Sequence, residues 1–238
     1  MESDVNPLVR RGQQGGPPLA LLAAICLSLL LGGLAIGVVL GGVLPLPYGP
    51  GARVLEYFRS QHVAVQVIAV GVFTSSVPLG IYAATASSRL RQLGVTAPGA
   101  TIALAGGVLA AGSLGLAGLL AWTLSRPDVS IDAALVRALY FLVFLVGGPG
   151  HIVALGLLVA GMAVPGLTLG LLRRPVAWAG LAIAALAEVT TLVLVWPELG
   201  PMLPLARITA LVWLIVAGAA LPMRRSRVDR PPAHPTVR

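Results

Sequence analysis

Long apolar runs recur along the whole chain, separated by short polar or Gly/Pro-rich segments, and their lengths define the elements. Residues 19–44, 62–86, 99–124, 151–172, 177–196 and 205–221 each read as a membrane span. About 20 apolar residues suffice to cross the hydrocarbon layer as a helix. The pattern predicts an all-α fold, a polytopic transmembrane helix bundle in a single domain over residues 19–222. A polar tail, 1–18, precedes it, and a basic, proline-rich tail, 223–238, follows it. Neither tail has the apolar content to fold alone.

The stretch from Ile131 to Leu172 needs separate treatment, because its 42 residues form no single straight span. As one helix it would reach roughly 63 Å, about twice the hydrocarbon thickness. Gly147, Gly148, Pro149 and Gly150 mark the break. Before the break, Asp132 and Arg137 leave only 138–146 uninterrupted by charge. Nine helical residues cover about 14 Å, so 131–146 is expected as a partial or interfacial helix. The count is then six full spans with both termini on one side. A seven-span arrangement with the N-terminus outside is the competitor.

Charge favours six. The basic residues are sixteen arginines with no lysine, and they cluster at span ends. With six spans Arg10, Arg11, Arg89, Arg91, Arg173, Arg174 and five tail arginines are cytoplasmic, against Arg53, Arg59, Arg126 and Arg137 outside. The net charge of +8 is thus a topology signal and an attraction to anionic lipid, and nucleic acid is not an expected partner. Apolar residues make up 57% of the chain and charged ones only 10%, which excludes a water-soluble domain. The all-arginine, Ala/Gly/Pro-rich composition points to a GC-rich coding sequence and a bacterial cytoplasmic membrane. Arg10 and Arg11 precede an apolar stretch too long for a signal-peptide core, so span 1 is expected to be retained.

Within the spans the informative positions are few. Gly33, Gly37 and Gly41 line one face of span 1, a surface for close helix packing and a candidate face for self-association or a membrane-protein partner. Thr74, Ser75 and Ser76 stand one turn before Pro78, where their hydroxyls are expected to meet carbonyls that the proline frees, at a kink. The segment RVLEYFRS reads as a short interfacial turn with Tyr57 and Phe58 against the headgroups. Cys26 is alone, so no intramolecular disulfide exists.

Glu188 is the sharpest polar residue, a carboxyl inside LAIAALAEVTTLVLVW that must be protonated, wetted or paired. The hairpin PELGPMLP brings Arg207 within reach of it. On the six-span topology His62, Gln66, His151, Glu188 and Arg207 all fall in the outer half. They form a candidate pocket for a small ligand or protons, or else a Glu188–Arg207 pair that fixes packing. Motifs for metalloproteases, hydrolases, phosphate loops and redox dithiols are absent, so no metal or cofactor is expected.

The stretch from GGPGHIVALGLL through the Arg173–Arg174–Pro175 turn to the tryptophan-bearing last spans resembles uncharacterised multi-spanning membrane proteins of high-GC bacteria, a domain-of-unknown-function family. The resemblance implies a six-span integral membrane protein and transfers no catalytic residue. Two functions compete: a non-enzymatic ligand-binding, transporter-like or partner role, and a membrane enzyme acting on a lipid or quinone with Glu188 and His151 as acid and base. The first is preferred, since Glu188 is the only carboxylate inside a span.

Overall fold

A computed structural model describes residues 17–96 and 98–222, so both expected tails lie almost wholly outside the described residues. The bundle is built from α1 (Leu19–Gly41), α2 (Gly51–Ser60), α3 (His62–Gln92), α4 (Gly99–Leu124), α5 (Ala133–Leu145), α6 (His151–Thr168), α7 (Arg174–Val189) and α8 (Met202–Ala220). Six helices are long and apolar enough to cross a membrane, with α5 and α6 counted together as Ala133–Thr168. Helices are the natural outcome here, because a helix satisfies its backbone polar groups internally where no water is present.

The six spans form a closed ring in chain order: α1 packs on α3, α3 on α4, α4 on α6, α6 on α7, α7 on α8, and α8 back on α1. Small residues set the close approaches. A Cβ built on Gly33 would lie 2.7 Å from the Cα of Gly71, and one on Gly161 would lie 2.5 Å from the nitrogen of Ala103. Gly37 and Gly41 likewise face Ile68 and Ala64. The glycine face of α1 that was a candidate for self-association is therefore covered by α3 of the same chain.

Two expectations about prolines resolve differently. α3 runs from His62 to Gln92 with Pro78 inside it. The hydroxyls of Thr74, Ser75 and Ser76 bond back to the carbonyls of Val70, Val72 and Phe73 at 2.6–2.7 Å. These are ordinary back-bonds within one turn. The carbonyl that Pro78 deprives of its partner belongs to Thr74, four residues earlier, and is not the one they reach.

At the Gly-Pro segment the helix does break. Val146–Gly150 forms a π-type turn in which Gly148 leaves helical geometry (φ −88°, ψ −105°). Pro149 supplies no N–H and glycine tolerates the distortion, so the ladder is interrupted there. α5 is the short helix expected before the break. It starts on Asp132, whose carboxylate accepts from the nitrogens of Ala134 and Leu135 at 2.8 and 3.1 Å.

α2 closes one end of the ring. Its Val54 and Phe58 are buried with Val65, Leu124, Val136 and Tyr140, so Phe58 faces the protein and not the headgroups. Arg59 of α2 donates to the carbonyls of Ser130 and Ile131 at 2.9 and 2.7 Å, and Tyr140 donates to the Pro45 carbonyl at 2.6 Å. The opposite end carries Arg89, Arg91, Arg173 and Arg174.

Candidate functional site

Inside the ring the two halves differ. Toward the arginine-rich end Leu79, Tyr82, Leu158, Met162, Leu211 and Leu214 are fully buried and fill the interior. Tyr82 reaches across the ring, its hydroxyl donating to the Leu214 carbonyl at 2.9 Å. Toward the α2 end the interior is not filled, and a cavity of about 290 Å³ lies between α3, α4, α5 and α8.

Its walls are apolar. α3 contributes Val65, Ile68 and Val72, α4 contributes Leu114, Ala117 and Ala121, and α5 contributes Tyr140, Val143 and Phe144. Leu44 and Phe58 lie at the α2 end, and Leu203 and Pro204 line the α8 side. Following each helix away from α2, the last residues to touch the cavity are Val72, Leu114, Gly148 and Arg207. Among the described residues Arg207 is the only charged one in this lining.

Arg207 is held by the kink. One terminal nitrogen of its guanidinium donates to the carbonyl of Gly147. That carbonyl belongs to the broken turn, which is why a side chain can reach it. The Nε–H of Arg207 is buried and has no acceptor. A buried donor left unsatisfied costs about 1–3 kcal/mol, and more when charged.

α5 and α8, the helix that carries Arg207, share few contacts with each other. Their link is the Arg207 hydrogen bond, Phe144 of α5 packed with Leu203 and Ala206, and Leu203 beside Gly148, where a Cβ would lie 3.3 Å from the leucine methyl. α5 and α8 are therefore only loosely joined beside the cavity.

The other four residues singled out from sequence lie elsewhere. His151 is fully buried, but its Nδ1 pairs with the Ala110 carbonyl at 2.9 Å, near the middle of α4. It sits deep in the bundle, not at an outer lip, because α5 supplies the outer part of its span. It does not line the cavity, and its Nε2 has no partner.

Glu188 is exposed on α7, with a carboxylate oxygen 3.6 Å from where a Cβ on Gly156 would stand. Among the described residues it forms no ion pair with Arg207, whose guanidinium is turned to Gly147. After Val189 the chain tightens into a 3₁₀ turn, Thr190–Leu194, in which Thr190 and Thr191 bond back to Ala187 and Glu188. Gln66 is exposed on α3, and His62 is half-buried with an unpartnered Nδ1.

So Arg207 alone among the five lines the cavity, and no group of three His, Cys, Asp or Glu residues among the described residues could hold a metal ion. What sequence reading missed was the aromatic and aliphatic wall: Phe58, Tyr140 and Phe144 carry no polar signal. No family model matches this chain, and no curated protein or solved structure does so either.

Proposed function

We propose that this protein is a non-enzymatic, multi-pass component of a bacterial cytoplasmic membrane that holds a small molecule inside its bundle. Both termini lie in the cytoplasm, and the chamber opens in the extracytoplasmic half. Eleven arginines assigned to the inner end against four at the other support that orientation.

The observation that carries the reading is the contrast between the two halves of the ring. A filled half with fully buried Leu79, Tyr82 and Met162 backs a cavity of about 290 Å³ at the α2 end. Well-packed interiors leave few voids larger than a water molecule. The volume lies near the lower end of the usual ligand-pocket range, about 300 Å³, and its place inside the ring beside Arg207 is what supports a bound molecule. It ends blind against the filled half, which supports retention of a molecule over passage through the bundle. Glu188 and His151 do not face each other across this cavity, and the enzyme reading draws no support from it.

Native mass spectrometry of purified wild type and Ala121→Phe tests the proposal. Ala121 lines the chamber, and phenylalanine there occupies it. The wild type should carry a bound small molecule that survives delipidation, and the variant should lack it at unchanged thermal stability. Equal occupancy in both proteins would overturn the proposal.

A further inference from the structure

We infer that the chamber takes a small, singly charged apolar acid, a carboxylate on a short hydrocarbon body, drawn from the surrounding leaflet between α5 and α8. The inference rests on the chamber reading above and names its ligand.

Three observations select this chemistry. The first is charge. Among the described residues Arg207 is the one charged group on the cavity lining, and only one of its two terminal nitrogens is engaged, by the Gly147 carbonyl. A guanidinium offers a planar fork of donors that matches a carboxylate, and an anion there engages the remaining terminal nitrogen and neutralises the cation together. A phosphate monoester would bring up to two charges against a single cation, leaving a net charge desolvated inside the bundle.

The second is size and polarity. About 290 Å³ at roughly 30 Å³ per water-sized unit accommodates about ten non-hydrogen atoms. That is about the size of a single-chain fatty acid of roughly eight to ten carbons in all, about ten to twelve non-hydrogen atoms with its carboxylate, and well short of a two-chain phospholipid. Val65, Ile68, Val143 and Phe144 along the walls offer such a chain contact and no hydrogen bond.

The third is the route. α5 and α8 share few contacts beside the cavity, where they are tied by the Gly147–Arg207 hydrogen bond and by Phe144 packed with Leu203 and Ala206. A carboxylate arriving there competes with the Gly147 carbonyl for the same guanidinium. Binding and opening of that gap are thus linked through one residue. An apolar acid concentrates in the leaflet, which places it at this gap and not at the polar α2 cap.

Binding of radiolabelled decanoate to the protein in nanodiscs, measured by scintillation proximity with unlabelled competitors, tests the inference. Decanoate should displace the label, whereas 1-decanol and decyl phosphate should do so at least about tenfold more weakly, the worth of one charge-assisted hydrogen bond. Arg207→Gln should lose that preference, with decanoate falling to the level of decanol, and Arg207→Lys should keep most of it. The acid-versus-alcohol comparison in wild type stands even if Arg207→Gln does not fold. Equal displacement by decanoate and decanol would sink the carboxylate assignment while leaving the chamber reading in place. Preferential displacement by decyl phosphate would assign a phosphorylated lipid in place of the acid. Absence of displaceable binding by all three, with Ala121→Phe behaving like wild type, would bring down the chamber reading too.

Discussion

Gly32 and Gly33 are neighbours on α1, and alanine at each position should have opposite consequences. A Cβ on Gly32 meets nothing within 4 Å, whereas one on Gly33 lies 2.7 Å from the Cα of Gly71 on α3. Ordinary contact for such an atom begins at 3.4 Å, so the helices must part by about 0.7 Å, the difference of the two distances. A radial gap of about 0.5–1 Å forfeits a quarter to a half of each dispersion contact along the seam. Overpacking of this kind costs about 1–3 kcal/mol. Both substitutions share the helix-propensity gain of alanine over glycine, about 1 kcal/mol. Subtracting one variant from the other cancels that gain and leaves the packing term, with Gly33→Ala less stable by about 1–3 kcal/mol. Unfolding in mixed micelles by SDS titration, followed by tryptophan fluorescence, reads the difference. Equal stability of the two variants would refute the α1–α3 contact. So would a Gly33→Ala protein whose stability is unchanged but whose oligomeric mass falls, since that glycine would then face a second copy.

Other substitutions separate packing from binding. Tyr82→Phe removes the hydroxyl that bonds to the Leu214 carbonyl; it should lower stability in the same titration by about 1 kcal/mol, with no loss of ligand binding. His151→Leu removes the Nδ1 contact to Ala110 at a similar cost of about 1 kcal/mol, since the carbonyl keeps its helical partner; a loss of decanoate binding at intact fold would show that the histidine reaches the ligand. Glu188→Gln should leave ligand binding unchanged, because the carboxylate is exposed outside the cavity; loss of binding would place it in the site. Asp128→Cys in a Cys26→Ala background, at an exposed turn of the α2 end, should react with an impermeant maleimide on intact cells. Protection there would reverse the proposed orientation.

The spans were legible because hydropathy over 20 residues measures what the bilayer demands. The Gly-Pro break at 147–150 was legible for the same kind of reason, since both residue types disturb a helix in known ways. The site was much less so. Glu188 drew attention as the rarest residue type in a span, yet which face of α7 it occupies depends on the rotation of that helix, and hydropathy that is uniform all round gives no phase. Arg207 was found by the same rule and does line the chamber, but its partner is the Gly147 backbone, which no side-chain pattern announces. The cavity itself lies where α5 and α8 share few contacts beside the kink, a three-dimensional arrangement that leaves no trace in residue type.

The closed ring has a consequence for how the chain is made. Every seam joins consecutive spans except the last, where α8 meets α1 and a Cβ on Gly218 would lie 2.8 Å from the Cβ of Leu19. α1, made before the other five, therefore waits for α8. At roughly 5–20 residues per second, the interval is on the order of ten seconds or more. Throughout it α1 holds α3 through Gly33 and Gly37, while Leu19, which meets Gly218 of α8 in the finished ring, stays open to lipid or to a chaperone. A chain released before α8 emerges would insert, pair its early helices, and remain an open arc instead of a ring.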